Sequence, residues 1–499
     1  MKTIGELADR VEGAVVIGDR DTVITGIEHD SRKIGEGMLF VCIPGVHVDG
    51  HKFIPQAASL GAKAVLTIRD VEVPEGLSLL KVPELDAALD AMVPFFYDYP
   101  ARSMRIVGIT GTNGKTTTSY ITRAILRKAG YKVGLVGTIQ IMMEEETFPI
   151  HNTTPDVVEL QHILAQMRDN GMDYVVMEVS SHALDQNRVA GIEFDTAVFT
   201  NLTQDHLDYH KTLENYLLAK AKLFTGLSLP GVKSGKTAVV NLDDGAGKRM
   251  LEHAHCKHLT YAIREQADLR AEEIDVRPEG NRFRLSGAFG KMDLDLHLTG
   301  IFNVYNVMSA TGAALAEGID PKVIQEALTE FTSVPGRFEP VKEGQDFFVI
   351  VDYAHTPDGV ENVLRTARQI AKRKIITVFG CGGDRDRTKR PIMGRMAAEL
   401  SDTVIATSDN PRSEDPEIIL DQVEAGVKEK IGSKHHERIA DRRKAIFRAV
   451  ELAEKDDIVV ILGKGHENYQ ILRDRTIHFD DRETARDAIR GKGNADICS

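Results

Sequence analysis

No uncharged stretch of this 499-residue chain approaches the roughly 18 apolar residues of a membrane-spanning helix. The opening segment, MKTIGELADRVEG, carries Glu6, Asp9 and Glu12 where a secretory leader needs an apolar run. Membrane insertion is therefore not expected, and a cytoplasmic location is. Cysteine is scarce. Cys42, Cys256, Cys381 and Cys498 stand far apart with no paired spacing, which argues against a disulfide framework and a cysteine zinc site and fits a reducing compartment. Positive charge is in deficit, with 62 Lys and Arg against 75 Asp and Glu for a formal net charge of −13. A nucleic-acid backbone or an anionic membrane is thus a poor general partner, and any phosphate has to be held locally. No low-complexity tract and no convincing internal repeat interrupts the sequence, and no Ser or Cys nucleophile stands in a G-x-S-x-G context.

At roughly 150 residues per domain the length implies about three domains, and 42% hydrophobic residues suffice to give each a core. Strand-like apolar runs alternate with helical patterns, as in RIVGIT, TTTSYITRAILRKAG and KVGLVGT. The rhythm recurs late in DFFVIVDYA, KIITVFG, DTVIATSDN and DDIVVILGKG. Such alternation predicts parallel sheets of βαβ units. Between about 245 and 300, RFRLSG and KMDLDLHLTG alternate apolar and polar residues at period two, as antiparallel strands do. The fold expected is α/β in three domains. Residues 1–97 form a small α/β domain, 98–334 a central doubly wound, mostly parallel P-loop sheet with a small antiparallel addition, and 335–499 a Rossmann-like α/β domain. The boundaries rest on the turn-forming YDYPARSM near 98 and on Pro335-Gly336, which breaks the helical pattern ending IQEALTEFT.

The strand RIVGIT runs directly into Gly111-Thr112-Asn113-Gly114-Lys115-Thr116-Thr117 and then into a helix. Glycines let backbone N–H groups curl around phosphate oxygens, and the helix N-terminus adds positive potential. Lys115 can reach the terminal phosphates and Thr116 can ligate Mg²⁺. Gly108 lies six residues before Gly114 rather than the usual five. Gly235-Lys236-Thr237 imitates the motif but precedes a strand instead of following one. Two further strand ends, at Glu178 in MDYVVMEVSSHAL and near His206 after TAVFTNL, bring a carboxylate and an imidazole suited to Mg²⁺ on ATP oxygens. Without the phosphate loop the same residues would read as a solvated strand-end acid and a capping residue.

The chain resembles the Mur ligase family of ATP-dependent amide-bond-forming enzymes. The resemblance runs through GTNGKTTT, NTTPD (152–156), MEVSSHAL (177–184), TNLTQDHLDYH (200–210), FNVYN (302–306), PGRFE (335–339), DYAHTPD (352–358), GGDRDRTKRP (382–391), DNPR (409–412) and GKGHE (463–467). It implies ATP and Mg²⁺ as cofactors, with Thr116, Glu178 and His206 at the metal and Lys115, Lys220 and His206 in catalysis. Lys220 is implied to be carbamylated, which requires a neutral amine and hence a depressed pKa. From the residues alone, Lys222 is an equally available lysine. Asn303, Asn306, Arg337 and Asp352 are implied to hold adenine and ribose between the central and C-terminal domains. Arg337, in the hinge, would reach a phosphate only on closure, which makes closure a gate.

The resemblance further implies two substrates, UDP-N-acetylmuramoyl-L-alanyl-D-glutamate and meso-diaminopimelate, acted on by a monomer. The uridine end falls to the N-terminal domain at Asp30-Ser31-Arg32, Gly45 and Asp49-Gly50-His51. Asn152, Thr153, Thr154, Ser180, Gln186 and Arg188 are implied to contact the sugar and the D-glutamyl carboxylates. The incoming amino acid falls to Arg385, Asp409, Asn410, Pro411, Arg412, Gly463 and Glu467, with Arg412 pairing the extra carboxylate and Glu467 meeting an ammonium. Folylpolyglutamate synthase, in the same superfamily, shares the loop and the modified lysine but not the N-terminal domain or DNPR. A P-loop kinase or motor ATPase is the alternative from another class. The carboxylate-reading pockets argue against it.

Overall fold

The computed structural model describes residues 1–45, 48–150 and 152–497, so Cys498 lies outside the described residues. Cys42, Cys256 and Cys381 are free. Three large sheets follow one another in chain order, with two small two-stranded ones beside them, Lys2–Thr3 with Val23–Ile24 and Tyr469–Ile471 with Thr476–His478. The N-terminal sheet has five strands in the order Val15–Ile17, Ser78–Lys81, Ala64–Thr67, Leu39–Val41, Ile27–Glu28, the first pair antiparallel and the rest parallel. The central sheet has eleven. Its interior strands, Val133–Val136, Tyr174–Glu178, Arg105–Thr110, Thr196–Phe199, Thr237–Asn241, Lys257–Ala262 and Leu269–Arg277, are neighbours in that order and all parallel. Val133–Val136, Tyr174–Glu178 and Thr196–Phe199 are buried along their whole length, as parallel strands covered by helices on both faces must be.

Antiparallel strands close both edges of this sheet. On one side are Gly280–Gly287 and Gly290–Leu296, within the stretch whose period-two pattern announces them. On the other is the hairpin Ile141–Met143 with Glu146–Phe148. The sequence pattern does not announce that hairpin. Its strands are three residues each, and Glu144 turns the chain at a left-handed φ of 52°. The C-terminal sheet has six strands in the order Glu339–Pro340, Phe348–Asp352, Ile458–Leu462, Ile375–Phe379, Thr403–Ala406, His435–Arg438, parallel except at the first pair.

The first strand of the central α/β region, Arg105–Thr110, lies between Tyr174–Glu178 and Thr196–Phe199. The chain reverses its direction of winding there, and open α/β sheets bind ligands at the carboxyl ends of strands at such a switch point. The segment at Asp98 and Tyr99 carries left-handed φ values of 56° and 50° before a short turn of helix at Pro100–Ser103.

The N-terminal sheet does not complete its core from its own residues. Leu7, Val41, Leu66 and Met92 pack in one cluster with Val157 and Val158 of the helix Val157–Asp169 and with Ala190. An ion pair seals the same junction, His29 Nε2 lying 3.2 Å from Asp156 Oδ2 while His29 Nδ1 lies 3.0 Å from Glu28 Oε1. Asp156 is also the N-cap of that helix, accepting from Val158 N and Glu159 N. Hydrogen bonds to Asp156 and Glu28 outweigh burial and push the His29 pKa up to about 10.

Because that pKa lies above the ordinary histidine value, the pair stabilises the fold fully below about pH 6.5 and loses its contribution as pH rises through about 10. His29→Ala should therefore lower stability by about 1–2 kcal/mol at pH 6.5. In thermal melts run against pH, the gap between variant and wild type should close above the folded-state pKa. A gap that persists unchanged there contradicts the ion pair.

Candidate active site

The carboxyl ends of the central strands meet the hinge and the C-terminal sheet in a cavity of about 520 Å³. Thr112 to Thr117, Thr153, Glu178, Ser180, His206, Asn306, Arg337 and Asp352 all line it. The phosphate loop supplies its floor. Gly111 has φ +150° and Gly114 φ +85°, and a Cβ on Gly114 would sit 2.4 Å from Asn306 Oδ1. Glycine is required there both by the left-handed backbone and by that close approach. The helix Lys115–Lys128 starts immediately after, with free N–H groups facing the cavity.

Two lysines converge on one carbonyl. Lys115 Nζ donates to Gly111 O and Thr112 O, both at 2.8 Å, and Lys220 Nζ donates to Gly111 O at 3.0 Å. Lys220, on the helix Leu213–Ser228, is 1% exposed, with its ammonium 4.2 Å from the Tyr216 ring centroid. Burial first, then the charge of Lys115, drives its pKa well below the ordinary lysine value, and Asp205 opposes this. Burial likewise lowers Lys115. Lys222 is half exposed and pairs with Asp185 at 2.8 Å.

Glu178 ends its strand fully buried and takes only neutral donors. Thr116 Oγ1 lies at 3.0 Å, Thr138 Oγ1 at 2.9 Å and Thr138 N at 2.8 Å. A buried carboxylate without a basic partner, beside a loop hydroxyl that can ligate, fits a divalent cation. No group of three or more His, Cys, Asp or Glu among the described residues is placed to hold a metal alone. Mg²⁺, which keeps waters and substrate phosphates as most of its ligands, does not need one. His206 sits at the start of the short helix Leu207–His210 in a left-handed conformation, φ 54°, its ring 4.8 Å from that of His182. Burial brings its pKa down to about 4 against the pull of Asp205, so the imidazole is neutral and its nitrogen lone pair is available.

The hinge contributes from the other side. Arg337 Nη2 donates to Thr116 Oγ1 at 3.1 Å, and its guanidinium carbon lies 4.5 Å from the Tyr353 ring centroid. Asp358 accepts from Asn113 and from Thr203 Oγ1, a second bridge between the two sheets. Asp352 lines the cavity but commits both oxygens to backbone, accepting from Phe338 N at 2.6 Å and Ala354 N at 2.7 Å. It pins the left-handed Phe338, φ 45°, and burial raises its pKa. Asn303 stands apart from the cavity. Its Oδ1 accepts from Asn306 Nδ2 at 3.0 Å, so it orients Asn306 and lines a separate cavity behind the hinge.

The remaining expected residues fall into three places. Ser31 is buried under the N-terminal sheet, donating to Gln56 Oε1, while Asp30 caps Arg32 and His51 pairs with Asp49. Thr154 links Glu178 O and Ser180, and Arg188 donates to Thr154 O at 2.9 Å and twice to Gln186 Oε1. Asn152 is exposed beside them. At the C-terminal sheet, Asp409 to Arg412 follow the strand Thr403–Ala406, and Gly463 to Glu467 follow Ile458–Leu462. Gly463 has φ +117° with the Asp409 carboxylate against it. Arg412 is half buried and donates only to carbonyls, Gly383 O at 2.9 Å and Asn410 O at 3.5 Å. Arg385 is exposed and donates to Asp384 O.

Sequence reasoning missed Thr138, Asp358, Tyr216 and Lys464. Thr138 follows the strand Val133–Val136, whose neighbour in the sheet ends in Glu178, so strand alternation held the signal. The others depend on contacts between distant segments.

Family comparison agrees with this arrangement of sheets and cleft. Residues 109–314 match the Mur ligase middle domain, 336–465 the Mur ligase glutamate ligase domain, and 23–98 the Mur ligase family catalytic domain. The chain belongs to the Mur ligase family. A relative from Syntrophomonas wolfei is 46% identical over 475 residues, 95% of this chain and 96% of its own. One from Geobacillus thermodenitrificans is 47% identical over 485 residues, 97% and 98%. Both carry the name UDP-N-acetylmuramoyl-L-alanyl-D-glutamate–2,6-diaminopimelate ligase. A solved structure of an enzyme of that name aligns over 99% of this chain and 100% of its own at 34% identity and a TM-score of 0.68.

The environments of the two neighbouring lysines make a direct contrast. Lys220→Ala should abolish turnover, and short carboxylic acids at millimolar levels should partly restore it by filling the space of an anionic lysine adduct, whereas Lys222→Ala should keep most of the rate. In ¹³CO₂-equilibrated buffer the wild type should show a carbamate ¹³C resonance that Lys220→Ala lacks. The opposite ranking of the two variants would assign the role to Lys222.

Proposed function

We propose that the chain joins meso-2,6-diaminopimelate to the D-glutamyl carboxylate of UDP-N-acetylmuramoyl-L-alanyl-D-glutamate, with ATP cleaved to ADP and phosphate. The observation that carries the choice of amino acid is Arg412, a half-buried guanidinium in the Asp409–Arg412 loop whose hydrogen bonds among the described residues go to carbonyls alone. A planar fork with no acid partner among the described residues suits a substrate carboxylate. The named relatives, similar over nearly the whole length, supply the reaction.

The substrate carboxylate attacks the γ-phosphorus in line and ADP leaves, giving an acyl phosphate. The neutral amine of the amino acid then adds to the acyl carbon, and phosphate leaves as the amide forms. Both steps gather negative charge, so fixed cations and exclusion of water are what the protein contributes. Lys115 turns from its own loop carbonyls to the β- and γ-phosphates, and Arg337 reaches the same oxygens across the hinge. Thr116, Glu178 and His206 would hold Mg²⁺, which when bound neutralises phosphate charge. Lys220, whose pKa burial drives well below the ordinary lysine value, can give up a proton and react with CO₂ to a carbamate anion at the loop. Asn306 orients the nucleotide between the two sheets, with Asn303 fixing its amide. Arg188, Gln186 and Thr154 present donors to the D-glutamyl end, and Ser31 lies at the uridine end.

Mass-spectrometric identification of the product from ATP, the muramoyl dipeptide and each amino acid in turn tests the reading. The expected product is the tripeptide bearing diaminopimelate, with lysine a poor substrate, because a site built to pair a substrate group rejects an analogue lacking it by about 10⁴ or more. Arg412→Ala should lower kcat/KM for diaminopimelate by about 10²-fold or more while leaving the small rate with lysine nearly unchanged. Equal losses with both amino acids would make Arg412 structural. Phosphate release without either substrate would point to a different class of ATPase.

A further inference from the structure

Lys464 is the one lysine besides Lys220 among the largest fully buried side chains, and the reaction described above gives it no work. Its ammonium is 0% exposed, donating to Glu467 Oε2 at 2.9 Å and to Asn410 Oδ1 at 3.1 Å. Asn410 closes the ring by donating its Nδ2 to the same Glu467 Oε2 at 2.9 Å, and its Oδ1 also accepts from Ile471 N at 2.9 Å. Asn410 is thereby committed at both ends of its amide. Its carbonyl oxygen, already accepting twice, is not open to a substrate ammonium. Glu467, in turn, already has a cation. The three side chains come from two strand-end loops, so the buried ammonium holds the walls of one pocket together.

This arrangement has an electrostatic consequence. Glu467 with Lys464 is neutral as a pair. Diaminopimelate, with two ammonium and two carboxylate groups, is neutral overall, and lysine, with one carboxylate fewer, carries +1. A pocket whose acid is neutralised in advance gains little from a cationic guest and leaves Arg412 to select a carboxylate. If the ammonium were removed, Glu467 would be a partly buried, unpaired anion that favours the cationic guest.

We propose that Lys464 is a positioning and specificity-determining residue, whose charge neutralises Glu467 and so biases the pocket toward a dicarboxylic, net-neutral amino acid over lysine. The inference rests on the diaminopimelate reading. Lys464 touches Glu467 and Asn410, and acts through them.

The test is the ratio of kcat/KM for meso-diaminopimelate to that for L-lysine, with KM for ATP measured alongside. Lys464→Met should lower the ratio by about tenfold, the scale of a unit charge acting across several ångströms in a partly buried site. The loss should appear mainly as a higher KM for diaminopimelate, with KM for ATP unchanged. Lys464→Arg, which keeps the charge, should hold the ratio within about threefold of wild type. Adding Lys464→Met to Glu467→Gln should leave the ratio of the Glu467→Gln protein unchanged, since the carboxylate that Lys464 pairs with is gone. That pair also contains no unpaired buried charge, so it decides the matter even if Lys464→Met alone does not fold. An unchanged ratio in Lys464→Met, an Arg variant as poor as the Met variant, or a tenfold drop within the Glu467→Gln background each overturns the proposal. If wild type does not use diaminopimelate, the reaction assignment fails and this inference with it. If wild type uses it and the ratios do not move, only the role of Lys464 fails.

Discussion

A single backbone oxygen, that of Gly111, accepts from two lysine side chains inside the protein. Two full positive charges cannot share a buried acceptor at that distance without a counter-charge. Burial drives the pKa of Lys220, the more deeply buried, well below the ordinary lysine value, while Lys115 keeps a route out to the cavity. The rest of the cleft follows from this crowding. The loop curls through left-handed glycines to present the carbonyl inward, Tyr216 covers the Lys220 amine with its ring face, and the Thr116 and Thr138 hydroxyls occupy the Glu178 carboxylate. A lysine of depressed pKa, a carboxylate held by threonine hydroxyls and a helix N-terminus with no side-chain cap make a site poised for anionic ligands and a divalent cation.

The hinge answers to the same site. Asp352 places both oxygens on backbone amides, fixing Phe338 in a strained conformation so that the adjacent Arg337 points back to Thr116. Here the acid shapes the chain rather than touching a ligand, and the guanidinium is its output. Asn303 stands in the same relation to Asn306. In both pairs one motif residue spends its chemistry on orienting its neighbour, Asp352 from the cavity wall and Asn303 from behind it.

Much of the fold was legible because its signals are local. Buried parallel strands read as continuous apolar runs, and the antiparallel strands near 280–296 read as alternation. The phosphate loop was legible for the same reason, since strand, glycines and helix are contiguous. The hairpin at 141–148 was not, because three-residue strands carry too little pattern. Lys464 was hidden for another reason. A lysine in a loop reads as solvated, and only the convergence of Asn410 and Glu467 from separate strand ends reveals that it is enclosed. The choice of Lys220 over Lys222 could not come from helix position alone. The structure separates them by burial, one facing the loop and the other facing Asp185.

The N-terminal sheet borrows Val157, Val158 and Ala190 to finish its core, and the segment it borrows from begins with the threonines placed beside Glu178. The unit at the start of the chain is consequently not a cassette. Cutting near residue 98 would strip the cover from three apolar side chains and from the cap of the helix behind them, leaving both fragments adhesive. A chimera that replaced the first sheet would have to carry over the 157–169 helix as well, so the piece that evolution or an engineer can exchange is discontinuous in sequence. Any change in what the first sheet holds would then be felt mechanically, through one shared helix, at the strand ends where the chemistry takes place.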